Sequence, residues 1–200
     1  MKVEFLKSVY QLKDLPPITE NRKEVVFVGR SNVGKSSLLN LLTGRNIAKV
    51  GKTPGRTRAI NYFKWDYNEL KSFLVDLPGY GFAKGDKREI ENWKRLIEGY
   101  FNRRRENIGL VLVLIDAKVG PTGDDKKMIQ WLDYLGIPYI VVLTKIDKAK
   151  QKEISSTLKK LKELGVETLV QTSSKEKKGK EQLLKVIWNY LKEEQNKTNS

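Results

Sequence analysis

A short glycine-rich segment near the start of the chain has the spacing of a phosphate-binding loop. The apolar run EVVFVG (24–29) leads directly into GRSNVGKSSLLNLL (29–42), which fits the pattern G-x-x-x-x-G-K-[ST] between a strand and a helix. Glycines let the backbone curl until successive N–H groups point at one anion, and the dipole of the following helix adds positive charge. Lys35 would bridge the terminal phosphates, Ser36 would bind Mg²⁺, and Ser37 would contact the first phosphate. The candidate loop residues are Gly29, Arg30, Ser31, Asn32, Val33, Gly34, Lys35, Ser36 and Ser37.

A carboxylate follows at the end of another apolar run. In VDLPGYG (75–81), Asp76 closes the run and a Pro-Gly turn comes next. Because the carboxyl ends of neighbouring strands converge on the phosphate site of a doubly wound sheet, Asp76 is predicted to hold Mg²⁺ through water. The N–H of Gly79 would then sense the terminal phosphate. Tyr80 stands where many nucleotide hydrolases of this kind carry a glutamine that orients the attacking water.

Two tetrapeptides at later strand ends have the composition to select a base. In TKID (144–147), the Asp147 carboxylate can accept two hydrogen bonds from the ring and exocyclic N–H groups of guanine, a pair that adenine lacks. The stem of Lys145 can lie over the base plane, and TSSK (172–175) can offer a backbone N–H to the guanine carbonyl. Together the two motifs predict GTP over ATP. Their candidate residues are Thr144, Lys145, Asp147, Ser173, Ser174 and Lys175.

The elements that must position these residues are short apolar strands alternating with amphipathic helices. Their order predicts an α/β domain with a mostly parallel six-stranded sheet and helices on both faces. The strands are predicted at 24–29, 60–65, 72–77, 110–116, 139–145 and 168–173. The helical faces are Ile90, Trp93, Ile97, Tyr100 and Phe101, then Ile154, Leu158 and Leu161, then Leu183, Leu184, Ile187 and Leu191.

The chain is predicted to form one domain with short flanking segments. A length of 200 residues with 39% hydrophobic content suits a single core. Residues 1–22 are predicted to be a polar lead-in with a short edge strand around Val3 and Phe5, ahead of a nucleotide-binding domain over 23–192. Residues 193–200 are predicted to be a frayed tail.

The composition favours a cytoplasmic protein with a polyanionic partner. Cysteine and histidine are absent, which excludes disulfides, thiolate metal sites and histidine-based triads. The longest apolar runs are too short to span a bilayer, so no membrane partner is expected. The net charge of +15 is spread along the chain, with 19 basic and 11 acidic residues in 1–100 and 20 and 13 in 101–200. Such a surface suits a large polyanion, although a lysine-rich surface is also typical of heat-adapted proteins.

The motifs in order resemble those of a known family. The series GRSNVGKS, TPGRT, DLPG, TKID and SSK resembles the translation-factor-related GTPases. TPGRTRAINYF, VDLPGYGFAK and GIPYIVVLTKIDK resemble the EngB family (also called YsxC or YihA) of bacterial GTPases, and the similarity covers most of residues 5 to 192. The resemblance implies a Ras-like P-loop GTPase fold, GTP or GDP and Mg²⁺ as ligands, and a role in assembly of the large ribosomal subunit, with a link to the cell cycle or septation. Thr144 stands where GTPases at large mostly carry asparagine, a substitution usual in this family, and it predicts modest guanine affinity.

By the same resemblance, two segments are nucleotide-sensing switches. Residues 48–61 would be the first switch, in which Thr57, or alternatively Thr53, binds Mg²⁺ and senses the terminal phosphate. Residues 80–89 would be the second. The metal ligands implied are Ser36, Thr57 and Asp76.

The missing glutamine has a candidate substitute. Asn32 matches a position that binds a monovalent cation in related GTPases that also lack the glutamine, so K⁺ there would supply the charge of an arginine finger. Alternatively, Asn32 only tolerates a left-handed turn. The residues expected to act in catalysis are Lys35, Asn32, Thr57 and Gly79.

Three functions are compatible with the sequence. The first is a slow, potassium-stimulated GTPase switch, a monomer that binds ribosomal RNA in a precursor of the large subunit. The second is a P-loop nucleotide kinase, which would need an acceptor site and a lid. The third is an RNA-binding module that holds guanine nucleotide with little turnover. Candidate RNA contacts are NRRRE (102–106), AKGDKRE (83–89) and KEKKGK (175–180), although each also suits a solvated charged face.

Overall fold

The apolar runs of the sequence form the strands of one sheet. The computed structural model describes residues 1–19, 21–49, 59–81 and 86–200. Within these ranges the strands are β1 (Lys2–Val9), β2 (Lys23–Gly29), β3 (Ile60–Tyr67), β4 (Leu70–Asp76), β5 (Ile108–Asp116), β6 (Tyr139–Thr144) and β7 (Leu169–Gln171). The helices are α1 (Lys35–Thr43), α2 (Lys87–Arg104), α3 (Gly123–Leu135), α4 (Gln151–Glu163) and α5 (Lys180–Thr198).

The strand order brings the predicted motifs to one edge of the sheet. The order is β1-β3-β4-β2-β5-β6-β7, and all neighbours from β4 to β7 are parallel. Among the described strands β3 alone runs in the opposite direction to the others, since it pairs antiparallel with both β1 and β4. The carboxyl ends of five parallel strands therefore share one edge, as the rule for ligand sites in open α/β sheets requires. These ends are Gly29, Asp76, Asp116, Thr144 and Gln171.

Helices cover both faces of the sheet, which confirms the predicted α/β architecture. On one face α2, α3 and α4 pack through buried residues that include Tyr100, Leu132 and Leu161. On the other face α1 and α5 pack through residues that include Leu39 and Ile187. The strands between them are buried on both sides, which explains why β5 reads as an uninterrupted apolar run.

The sheet has seven strands rather than the predicted six, because the N-terminal lead-in contributes one. The edge strand expected around Val3 and Phe5 is confirmed, but it spans Lys2–Val9 and pairs with β3 over almost its whole length. Charged residues alternate with apolar ones in KVEFLKSV, as is typical of an edge strand with one side in solvent. Because charged residues interrupt the apolar ones, the sequence pattern predicted a shorter strand than the one observed.

Two helices also differ from their predicted patterns. In α2 the buried face is formed by Leu96, Ile97, Tyr100, Phe101 and Arg104. Ile90, predicted on that face, is 37% exposed, so the first turns of α2 stand away from the sheet. The C-terminal helix α5 continues to Thr198 and includes most of the segment predicted to be frayed. Among the described residues, no helix combines the length and apolar character needed to cross a bilayer.

A buried polar cluster lies at the opposite end of β2 from the motifs. The Glu24 carboxylate is fully buried and accepts hydrogen bonds from the hydroxyls of Tyr62 (2.7 Å) and Tyr100 (2.8 Å). Arg104 donates to Glu24 across 3.4 Å and also to the carbonyl of Pro16. Arg104 is only 5% exposed, so its prediction as an RNA contact within NRRRE is wrong, and it joins the N-terminal segment, β2, β3 and α2 instead.

Candidate functional site

The glycine-rich segment forms a loop that wraps the amino end of α1. Asn32 and Gly34 both have left-handed backbone conformations, with φ of 68° and 107°. Val33, between them, is buried and anchors the loop to the core. The first helical hydrogen bond runs from the N–H of Leu38 to the carbonyl of Gly34. The N–H groups of the first turn have no carbonyl partner within the helix, so they are available to an anion.

The DLPG segment is fastened to this loop by its backbone. The N–H of Tyr80 donates to the carbonyl of Gly29 (3.1 Å), and the N–H of Ser31 donates to the carbonyl of Tyr80 (2.8 Å). A Cβ at Gly79 would lie 2.9 Å from the nitrogen of Ser31, so only glycine fits without a backbone shift. The structure therefore brings Gly79 beside the phosphate loop.

Lys35, at the start of α1, forms an ion pair with Asp76, at the end of β4. The ammonium of Lys35 lies 3.3 Å from Oδ1 of Asp76, and both side chains are mostly buried. This ion pair does not have hydrogen-bond geometry, so the buried oxygen accepts no hydrogen bond from the described residues. A buried carboxylate oxygen that lacks a hydrogen bond fits the outer sphere of a hydrated Mg²⁺. The residues present thus fit the predicted metal site, to which Ser36 in the first turn of α1 would contribute its hydroxyl.

The TKID motif is joined to the same loop. The hydroxyl of Thr144, at the end of β6, donates to the carbonyl of Val33 (2.7 Å). Lys145 has a left-handed backbone (φ 58°), and its ammonium donates to the carbonyl of Asn32 (2.9 Å). The side chain of Lys145 therefore spans from the end of β6 to the phosphate loop, and its stem passes beside Gly34.

Asp147 is held in place by the loop that follows β7. The Ser173 hydroxyl donates to Oδ1 of Asp147 (2.8 Å), and the Ser173 backbone forms paired hydrogen bonds with Lys178 that close this loop. The hydrogen bond from Ser173, with the backbone N–H of Asp147 and the charges of Lys175 and Lys148, holds the pKa of Asp147 below its usual range. Asp147 is thus an ionised, oriented acceptor. Both tetrapeptides predicted to select a base lie together.

Sequence patterns missed one residue that supports this site. Asp116 ends β5, and its Oδ1 accepts the N–H groups of Lys118 (2.8 Å) and Val119 (3.1 Å). Its Oδ2 lies 3.9 Å from the ammonium of Lys145, which is thus steered toward the loop. The available signal was an aspartate at a strand end, the same signal that identified Asp76.

The predicted switch threonines lie outside the part of the chain that the structure describes. Both Thr57 and the alternative Thr53 fall in residues 50–58, and much of the second switch falls in 82–85. Ser37 is half-buried in the first turn of α1, Ser174 is half-buried, and Lys175 is exposed in the loop after β7.

Comparisons with known proteins identify the family. The profile of the family described as "50S ribosome-binding GTPase" matches residues 24–145, and that of the "Elongation factor Tu GTP binding domain" matches residues 101–193. A protein of Aquifex aeolicus described as a probable GTP-binding protein EngB is 53% identical over 190 residues, covering 94% of this chain and all of that protein. This chain belongs to the EngB family of GTP-binding proteins.

Other relatives agree with the assignment to EngB. Proteins with the same description from Prosthecochloris aestuarii and Thermotoga maritima are 47% and 44% identical, over 95% and 96% of this chain and 99% and 97% of their own lengths. The crystal structure of a probable GTP-binding protein engB superposes with a TM-score of 0.69 at 30% identity, covering 85% of this chain and 99% of that one. The predicted family and P-loop GTPase fold are therefore confirmed.

A more distant structure shows a related protein with its ligands. Era, in complex with MgGDPNP and a segment of 16S ribosomal RNA, has a TM-score of 0.68 at 26% identity, covering 85% of this EngB chain and 57% of the Era chain. Era therefore combines the fold, a magnesium-bound guanine nucleotide analogue and ribosomal RNA in one complex.

Proposed function

We propose that this EngB-family chain hydrolyses GTP slowly to GDP and phosphate, and acts in the cytoplasm as a monomeric, nucleotide-dependent switch in assembly of the large ribosomal subunit. The observation that carries the proposal is the 2.9 Å hydrogen bond from Lys145 to the carbonyl of Asn32, because it joins the base motif to the phosphate loop. One nucleotide can then reach Asp147 with its base and Lys35 with its terminal phosphates.

The phosphate side of the site is built for charge neutralisation. The N–H groups of the loop and the ammonium of Lys35 would receive the phosphate oxygens, and the N–H of Gly79 would donate to the terminal phosphate. Mg²⁺, held by Ser36, Thr57 and Asp76, would supply further positive charge on the phosphate oxygens when bound. A mainly electrostatic site of this kind suits phosphoryl transfer, which needs little covalent chemistry from the protein.

The base side of the site reads guanine mainly through Asp147. The Thr144 hydroxyl has one proton, and it is used in the 2.7 Å hydrogen bond to Val33. Thr144 therefore has no donor left for a ring nitrogen of the base, which supports the expectation of modest guanine affinity.

Potassium dependence is the first prediction for the catalytic step. Asn32 is exposed on the phosphate loop, where K⁺ would place a positive charge beside the bridging phosphate oxygens. Replacing potassium by sodium at constant ionic strength should slow GTP hydrolysis several-fold, and Asn32→Ala should remove the difference. Asn68→Ala is the matched control, since Asn68 is also left-handed (φ 53°) but lies in the β3–β4 turn. Equal rates in both salts for the unaltered protein would contradict the role of potassium.

Binding to the ribosomal precursor is the prediction that tests the proposed switch. With a non-hydrolysable GTP analogue, affinity for large-subunit precursor particles should be higher than with GDP, because GTP would order the switch segments. Affinity should fall steeply with salt, since each neutralised phosphate releases counterions. Sedimentation of particles with bound protein, over a salt series and in both nucleotide states, measures the two effects.

The variants for this experiment follow from the burial of Arg104. Arg103 and Arg105 are exposed, so Arg103→Ala/Arg105→Ala should reduce the logarithmic salt slope by about 1 to 2 and leave nucleotide affinity unchanged. Arg104 is kept, because its replacement would disturb the fold. Equal binding in the two nucleotide states would contradict the switch, and insensitivity to salt would contradict contact with the RNA backbone.

The two alternative functions, a nucleotide kinase and an RNA-binding module, are distinguished from the proposed one in different ways. Family membership separates the chain from nucleotide kinases, since the matched families are described as GTPases and GTP-binding domains. An RNA-binding module with little turnover is distinguished by measuring GTP hydrolysis with and without ribosomal particles.

A further inference from the structure

Tyr80 lies at a junction between the phosphate loop and two helices. It follows Gly79 directly, and its backbone forms two hydrogen bonds with the loop, to Gly29 and from Ser31. The side chain does not face the loop: it is only 4% exposed and packs on the side of the sheet that α2 and α3 cover. Tyr80 is therefore fixed on two sides, by its backbone and by its ring.

The contact on the α3 side is a buried hydrogen bond. The Tyr80 hydroxyl donates to Oδ1 of Asp125, which is 2% exposed. Burial, and the negative charges of Asp125 and Asp124, raise the pKa of the Tyr80 hydroxyl, so it stays protonated and acts as a donor. This donor stabilises the site because a buried carboxylate oxygen that lacks a hydrogen bond is costly.

Asp125 also takes part in the cap of α3, in which Thr122 is the N-cap residue and Asp125 lies three positions later. Its Oδ2 accepts the N–H of Thr122 (2.8 Å), and its own N–H donates to the Thr122 hydroxyl (3.3 Å). These reciprocal bonds form a capping box, which fixes the position of the helix start. The Tyr80 hydroxyl is therefore attached to a rigid element, and not to a loop.

On the α2 side of the junction, Trp93 contacts both neighbours of Gly79 in the chain, Pro78 and Tyr80. The indole of Trp93 donates to the carbonyl of Pro78 (3.1 Å), and its ring packs edge-on against Tyr80 with centroids 6.4 Å apart. Gly79 lies between these two anchored neighbours. Its own backbone is so close to Ser31 that a Cβ would not fit. Movement of the Gly79 N–H is thus restricted from both flanks.

We propose that Tyr80 is a positioning residue for catalysis, whose hydrogen bond to Asp125 fixes the N–H of Gly79 toward the terminal phosphate. This inference rests on the proposed GTPase function, and it assigns a role to the residue that replaces the usual glutamine. Tyr80 does not contact the attacking water. It holds the phosphate-sensing backbone against α3, so that less reorganisation is needed when charge develops on the phosphate.

Removal of the single hydroxyl tests this role. In Tyr80→Phe, kcat for GTP should fall about three- to tenfold, the equivalent of one buried hydrogen bond, while KM and GDP affinity change less than about twofold. In the unaltered protein, the ¹⁵N–¹H signal of Gly79 should shift between the GDP and GTP-analogue states. In Tyr80→Phe this shift should shrink, because the N–H no longer has one fixed position.

Tyr100→Phe is the matched control. It also removes a hydroxyl that donates to a buried carboxylate, Glu24, but at the far end of the sheet. It should lower the melting temperature without changing kcat. If Tyr80→Phe is poorly folded, the double variant Tyr80→Phe/Asp125→Asn removes the buried charge whose Oδ1 has lost its hydrogen bond, and the amide oxygen can still accept the N–H of Thr122. This double variant should show the same low kcat.

The outcomes separate the two levels of the proposal. The positioning role would be overturned if kcat of Tyr80→Phe equalled kcat of the unaltered protein or of Tyr100→Phe. It would also be overturned if the Gly79 signal shifted between the GDP and GTP-analogue states by the same amount in Tyr80→Phe as in the unaltered protein. Absence of turnover in the unaltered protein would contradict the GTPase function instead. In that case the Gly79 signal with the GTP analogue still tests the position of the N–H.

Discussion

Asp147→Asn should weaken GTP binding by about 10²- to 10⁴-fold, because the neutral amide can accept from only one of the two guanine N–H groups while its own NH₂ group faces the other. In the structure the Ser173 hydroxyl donates to Oδ1 of Asp147 across 2.8 Å, which orients the carboxylate and lowers its pKa. An amide offers one donor and one acceptor, which complements the edge of xanthine. Titration with GTP and with xanthosine triphosphate should therefore show a reversal of preference.

Asp133→Asn provides the control for this prediction. Asp133 is an exposed aspartate near the end of α3. The end of α3 leads into the start of β6, whereas Asp147 follows the carboxyl end of β6, so the two aspartates lie at opposite ends of that strand. The substitution makes the same change in charge, so GTP affinity should stay within about twofold of the unaltered value. Unchanged GTP affinity in Asp147→Asn would remove this residue from the base site.

Arg104→Met should destabilise the fold by about 3 to 5 kcal/mol, since it leaves the Glu24 carboxylate buried without its charged partner. Arg104 and Glu24 side chains are 6% and 1% exposed, so solvent cannot replace the lost interaction. Urea denaturation at neutral pH measures the free energy of unfolding. The neighbouring Arg103 is exposed, so Arg103→Met should change that free energy by less than about 0.5 kcal/mol.

The effect of Arg104→Met should also depend on pH. Burial raises the pKa of the Glu24 carboxyl, although hydrogen bonds from Tyr62 and Tyr100 and the charge of Arg104 act in the opposite direction. The folded state therefore binds the Glu24 proton more readily than the unfolded state, and stability falls as pH rises above the ordinary range of glutamate. Without Arg104 this fall should steepen, so the destabilisation should be larger near pH 8 than near pH 5. A loss that is equal at both pH values would show that Glu24 does not carry the effect.

Local sequence patterns were sufficient to predict the candidate site residues that lie within a short motif at the end of a strand. Lys35, Asp76 and Asp147 each follow a short strand signal at fixed spacing, and the parallel order of strands brings them to one edge. Since parallel strands share their carboxyl edge, this convergence follows from topology alone. The roles of these residues toward GTP and Mg²⁺ stay predictions.

Residues that act through distant partners were not predictable in this way. Tyr80 and Asp125 are 45 positions apart, and Arg104 and Glu24 are 80 apart. A basic triplet has the same local sequence whether one member is buried or all are exposed, so NRRRE could not reveal the special position of Arg104. Similarly, a tyrosine after the DLPG glycine indicates only that glutamine is missing. Its hydrogen bond to α3 depends on how two helices pack.

The two outer strands of the sheet, β1 and β7, determine whether molecules of this protein can associate edge to edge. An outer strand presents free N–H and C=O groups that a strand of a second molecule can extend into a continuous intermolecular sheet. At one end β7 has only three residues, too few for stable pairing. At the other end β1 has eight residues, but it carries Lys2, Glu4 and Lys7, and its register with β3 shifts between Phe5 and Lys7. Short length, charge and a bulge all oppose edge-to-edge growth, so concentrated solutions of the folded protein should resist fibril formation.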